Sequence, residues 1–278
     1  MKQIIEGFKS LIKQSGRVNK LLNAYQRLKE KSIENVYLLE KKLNELSKEA
    51  ISLPDFPLKN SLISWLNNEK NEVEKAKEDF HFLLGEQIKN LFQKDNKILK
   101  GQYPILRVGF YTIKLDFEFG EVTLYFGPEI EKIKSKIPLE PEAIYQSVKK
   151  FDEEIRKTKF DAKEFYLDLQ KAYKKRIVLS NKPYGEKMPL VDVLNEYVML
   201  KQPPQFFVDP KKENFREFSR VTLAYLLYLF RKSEISKSGS HLYVATFDAT
   251  TDKGHSIWIP DNEEGEGTYC SYISFEGQ

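Results

Sequence analysis

The chain has 278 residues, of which 41% are hydrophobic and 31% charged, with a formal charge of +4. That is enough material for one large domain or two ordinary ones, and too little net charge to argue by itself for nucleic acid, which usually meets a much more basic domain. Cys270 is the only cysteine and His81, His241 and His255 are the only histidines, so an intramolecular disulfide is excluded and neither CxxC nor HExxH occurs; no metal and no other cofactor is expected.

A single heptad register opens the chain, with Ile4, Leu11, Val18, Tyr25, Ser32, Leu39 and Leu46 at one seam position, and Phe8, Ser15, Leu22, Lys29, Val36, Leu43 and Ala50 at the other. Ten of these fourteen positions are large and apolar. The pattern predicts one long helix over 4–50 whose seam must lie against other helices. The start, MKQIIEGFKSLIK, is too interrupted by charge for a signal peptide, and the longest apolar run, Val221 to Phe230, is far short of the roughly 20 residues of a membrane span. A cytoplasmic protein without membrane contact is expected.

The prolines of Leu53-Pro54-Asp55-Phe56-Pro57 force a break, and a second helical pattern follows from about Leu58 to Leu99. From Ile105 the period becomes two, predicting a β-hairpin over 105–126 with one apolar face. A third heptad carries Ile144, Phe151, Thr158, Phe165 and Ala172 alternating with Val148, Ile155, Ala162, Leu169 and Arg176, and predicts one helix from Pro141 to about Leu179. The polar, Pro- and Gly-containing stretch 180–189 reads as a linker. Beyond it, a short helix over 190–200, a helix started by Asp209-Pro210 and running to Lys232, and three strands at 241–247, 256–259 and 268–275 read as a small α+β module ending in a β-meander. The expected fold is mainly α: a long antiparallel helical bundle or coiled coil over 1–179 with an inserted hairpin, then the module over 190–278.

Chemistry is sparse. Lys114, Asp116 and Glu118 share a strand face, which is read as solvated rather than metal-binding. Lys212, Arg216 and Arg220 recur every four residues and form a basic stripe suited to phosphates or to a protein partner. His241, Asp248, Asp252 and His255 cluster around one loop, where an enzyme site would center on Asp248 and His255. Nucleotide-binding glycine motifs are absent. Aromatic residues outside the seams, among them Tyr37, Phe82, Phe92, Phe160 and Tyr173, are read as anchors for a protein partner. Charge is uneven: residues 1–50 carry +5, 201–240 carry +4 and 241–278 carry −6. The basic and acidic regions could pair internally or face different partners.

In size, Lys- and Glu-rich make-up and two-part layout, the chain resembles the anti-sigma-type target protein of the CRISPR-associated Lon-like protease. That resemblance implies an antiviral regulator that sequesters a sigma-like factor and is cut when the protease is activated. The stretch Ser180, Asn181, Lys182, Pro183, Tyr184, Gly185, Glu186, Lys187 and Met188 would be the place of the cut. The zinc-binding His and Cys pattern of many anti-sigma domains is missing here. The leading expectation is a non-catalytic protein that scaffolds or sequesters a protein partner, with nucleic-acid binding through the basic stripe second and an enzyme third.

Overall fold

Polar seam positions end the first helix early. In the computed structural model, which describes residues 1–33, 35–237 and 239–276, helix α1 (Lys2–Lys29) stops where Lys29 and Ser32 occupy seam positions, and the chain turns back into α2 (Val36–Ser52). One expected helix is therefore two. A seam that turns polar gives no reason to extend, whereas folding back lets Val36, Leu39, Leu43 and Leu46 share a core with Val18 and Tyr25. After the prolines, α3 (Lys59–Lys94) supplies Leu66 and Val73 to the same core. The Tyr25 ring meets Trp65 edge-on at 5.5 Å, and its hydroxyl donates to Glu69 Oε2 at 2.6 Å. Burial alone would raise the Glu69 pKa, but the hydrogen bonds from Lys29 and Tyr25 hold it below the usual carboxylate range.

The chain divides into two compact units. The first comprises Met1–Leu91 and Phe117–Gly120; the second comprises Phe92–Asp116 and the chain from Glu121 onward. Phe117 joins the first unit through an aromatic cluster, 5.5 Å from Tyr37 and 4.2 Å from His81, and the Tyr37 hydroxyl hydrogen-bonds His81 Nε2.

In the second unit the expected hairpin is a five-stranded antiparallel meander. It is built from β1 (Leu99–Gln102), β2 (Ile105–Val108), β3 (Tyr111–Asp116), β4 (Glu121–Phe126) and β5 (Glu131–Pro138), in that order. The single strand expected from Ile105 folds at Gly109-Phe110, where Val108 pairs with Tyr111 and Gly109 takes φ +51°. More strands answer the physical demand: a two-stranded ribbon cannot cover Ile113, Leu115, Val122 and Leu124, all of which are buried here.

Helix α4 (Pro141–Arg156) packs against β5. The third heptad also breaks, because the Asp161 side chain accepts the Glu164 N–H at 2.7 Å and starts a new helix, α5 (Ala162–Leu179). Then follow β6 (Met188–Pro189), α6 (Leu190–Leu200), α7 (Pro204–Val208), α8 (Arg220–Lys232), β7 (Ser240–Val244), α9 (Phe247–Thr250), β8 (Ile257–Pro260) and β9 (Gly267–Phe275). Strand β9 pairs with β6, β7 and β8, so β7 and β8 are not neighbors and the C-terminal strands are not a simple meander. Helix α8 is buried along most of its length and packs on β8.

The long coiled-coil bundle expected from the heptads is thus overturned. The protein is 57% helix and 18% strand, with two antiparallel sheets and nine α-helices among the described residues. The chain passes between the compact units at 91/92, 116/117 and 120/121, and the stretch 180–189 lies inside the second unit.

Candidate functional site

Lys212, Arg216 and Arg220 do not form a helical stripe. Asp209 closes α7 instead of opening a helix, Lys212 lies in a single 3-10 turn, and α8 begins only at Arg220, where the Ser219 hydroxyl accepts the Thr222 N–H. The Gln202 side chain explains the gap. Its amide accepts the Arg216 N–H at 2.8 Å and donates to the Arg216 carbonyl at 3.1 Å, so both backbone groups are satisfied without a helix. Arg220 is committed inward, donating to Glu131 Oε1 and to the Ser256 carbonyl, both at 2.6 Å. Lys212 and Arg216 remain exposed, with the Arg216 guanidinium 5.1 Å from the Phe218 ring.

The stretch 180–188 is a tethered loop and not a free linker. Tyr173 accepts the Gly185 N–H and donates to the Glu186 carbonyl, and Gln170 donates to the Tyr184 hydroxyl. Met188 is buried in β6 against β9, while Ser180 to Pro183 and Gly185 to Lys187 are exposed. The exposed residues leave the loop open at the surface, while α5 packs on α6 across it and β6 is held by β9. Cleavage at Lys182 is expected to give two bands under denaturing conditions and one co-eluting peak in native size exclusion. Separation of the fragments without denaturant would refute this.

The loop histidines part company: His255 pairs with Asp252 and His241 with Glu276, each at 2.9 Å. Asp248 sits in α9, and among the described residues no group of three or more His, Cys, Asp or Glu could hold a metal ion. Lys114 pairs with Glu129 at 2.7 Å. Burial pushes the Cys270 thiol up to about 11, which keeps it a neutral, packed group. The acidic tail is answered within the second unit: Asp261 meets Arg231, Glu264 meets Lys100, and Glu263 meets Arg156. Most of the aromatics read as anchors are internal. Phe92 is buried against Tyr145, Tyr173 is fully buried, and Tyr37 and Phe160 are partly covered; only Phe82, 73% exposed, faces outward.

Two clefts in the second unit are largely self-satisfied. One of about 470 Å³ takes in Arg216, Phe218 and Tyr197, and its Lys201 is already paired with Glu164 and Asp168. The other, about 300 Å³, lies beside Trp258, Gly127 and Gly267.

The first unit holds a larger and different feature, a groove of about 630 Å³ between α1 and the start of α3. Leu11, Val18 and Leu22 form one wall, and Leu53, Leu62 and Trp65 line the other. Its origin is a mismatch of lengths: α1 has 28 residues and α2 only 17, because Pro54 and Pro57 end α2. Arg17 pairs with Glu49, three residues before α2 finishes, so α2 does not extend along the earlier turns of α1. Residues 1–10 are all exposed, with Ile4 at 65% and Phe8 at 62%, and Ile12 follows at 70%. Ile4 and Phe8 continue the same seam that is buried from Val18 onward, since residues four and seven apart share a helix face, and Ile12 borders it. The heptad pattern marked Ile4 and Phe8 as seam positions that must lie against other helices, without distinguishing pairing within the chain from pairing between chains; the overhang becomes visible only once α1 and α2 are known to be separate helices.

Among the described residues no helix is long and apolar enough to cross a membrane. Comparison with known proteins matches this chain to no protein family, no curated protein and no solved structure.

Proposed function

We propose that this chain is a non-catalytic interaction protein whose helical unit holds a partner protein on α1 and in the groove beside it. The observation that carries the reading is the continuity of the groove with the uncovered seam residues Ile4 and Phe8 and with Ile12 at their border. A groove of this volume falls in the range of ligand sites, and a heptad-spaced apolar wall is what an amphipathic helix recognizes. Sequestration of a regulatory factor is one form of such a role. Release by a cut in 180–188 does not fit the interlocked elements around that loop.

The test compares tagged wild-type protein with Phe8→Glu and Phe82→Glu, both at exposed positions, as baits in native pull-downs. Phe8→Glu is expected to lose a stoichiometric partner that wild type and Phe82→Glu retain, with unchanged melting temperatures. Equal retention by all three baits would remove the groove from the function.

A further inference from the structure

Independently of the groove on α1, we propose that the cleft of about 470 Å³ in the second unit binds a small aromatic anion of the nucleoside monophosphate class. Its floor is aromatic. Phe160 meets Phe165 at 5.7 Å, Phe165 meets Tyr197 edge-on at 5.1 Å, and Tyr197 meets Phe218 edge-on at 6.0 Å. These rings come from the turn before α5, from α5, from α6 and from the segment before α8, so they meet only because α5 packs on both α6 and α8. The volume falls within the range of small-molecule sites, and the exposed ring faces and edges suit a flat partner.

The exceptions to the cleft's internal pairing are of one kind. Lys157, Lys159, Lys201 and Arg216 line it together with Asp161, Glu164 and Glu217. Lys201 holds Glu164 at 2.6 Å, and Asp161 caps α5 by accepting the Glu164 N–H. Lys157, Lys159 and Arg216 have no ion pair among the described residues, which leaves three cations against Glu217. Arg216 is the best anchored of them. Buried Gln202 holds its backbone from both sides, and its guanidinium lies 5.1 Å from the Phe218 ring. Tyr197 is only 4% exposed, yet its hydroxyl has no hydrogen-bond partner among the described residues. Burial raises the Tyr197 pKa, and the charges of Lys201 and Arg216 pull against that rise, which puts both cations near the hydroxyl. A buried donor without an acceptor is costly, and an acceptor brought by a ligand relieves it. A phosphate answers both needs, with close to two negative charges for the cations and oxygens for the Tyr197 hydroxyl, while the base lies on the rings.

Isothermal titration calorimetry on the full chain tests this with adenosine monophosphate, adenosine and inorganic phosphate. The monophosphate is expected to bind about tenfold tighter than either part, and more weakly as salt rises. Arg216→Gln should weaken the monophosphate about tenfold and leave adenosine unchanged. Tyr197→Phe should weaken it about fivefold with a melting temperature equal to or above wild type, because removing that hydroxyl strands no protein group. Lys212→Gln, at an exposed position outside the cleft, should bind as wild type does. Absence of binding at millimolar monophosphate, full retention by both Arg216→Gln and Tyr197→Phe, or equal losses in Arg216→Gln and Lys212→Gln would each overturn the proposal. So would a single-stranded oligonucleotide that binds far more tightly than the mononucleotide, since the cleft would then serve a strand.

Discussion

Gly127→Ala will melt about 6–12 °C below wild type, a loss of about 3 kcal/mol. Gly127 has φ +67°, and a Cβ built on it would fall 2.4 Å from the Trp258 ring. Neither strain can relax cheaply. The backbone is held on both sides, with the Gly127 N–H donating to the Phe110 carbonyl and the Thr112 hydroxyl donating to the Gly127 carbonyl. The ring is buried, meets Phe126 edge-on at 5.5 Å, and is closed on another side by Gly267, whose own Cβ would also lie 2.4 Å from it. Left-handed backbone costs a non-glycine residue about 1–2 kcal/mol and overpacking about 1–3 more. Thermal unfolding followed by circular dichroism checks this, and a shift within about 2 °C would mean that the second unit gives way around Trp258.

Asp152→Ala will destabilize the second unit by about 2–4 kcal/mol, and Asp152→Asn by less, since the amide oxygen still accepts. Asp152 is 8% exposed and accepts from Lys97 Nζ at 2.8 Å and Arg156 Nε at 3.0 Å. Both cations are partly solvated, which keeps the loss below that of a fully buried pair. Arg156 also reaches Glu263, which accepts from the Tyr228 hydroxyl at 2.8 Å. Burial alone would raise the Glu263 pKa, but hydrogen bonds from Arg156 and Tyr228 hold it below the ordinary carboxylate range. A lowered folded pKa stabilizes above the unfolded value of about 4.3 and ceases to do so as pH falls through the folded value. Urea unfolding should therefore show Glu263→Gln weaker than wild type at neutral pH and converging with it in acid. A constant gap across that range would refute the linkage.

Periodicity over short windows was a sound guide to which residues are apolar-facing, and a poor guide to where elements stop. Leu39, Leu43, Leu46, Ile144, Val148 and Leu169 are all buried seam residues. Yet both long heptads are interrupted, one at Lys29 to Ser32 and the other at Thr158. A heptad stays in register across a turn as readily as along a helix when the helices on either side share one core. The second break had a local signal in Asp161 and Glu164, three apart, the spacing of a capping box. The dispersal of the basic stripe had no local signal, because Gln202 lies fourteen residues from the Arg216 backbone it satisfies.

By itself the sequence determined the helical character of 4–29, 36–50 and 59–94, the proline break before α3, the period-two switch at 105, the buried run in α8 and the lack of a disulfide. Each of these follows from covalent geometry or from a spacing of a few residues. Only the tertiary structure decided that 180–188 is tethered, that β9 has three partners, that Asp261, Glu263 and Glu264 of the acidic tail are paired within their own unit, and that α1 outruns α2 and leaves a groove. Those outcomes depend on which distant residues meet, Tyr173 with Glu186, Glu263 with Arg156, Arg17 with Glu49. Burial energy depends on the surface that remains uncovered after every element has packed, and no window along the chain contains that sum.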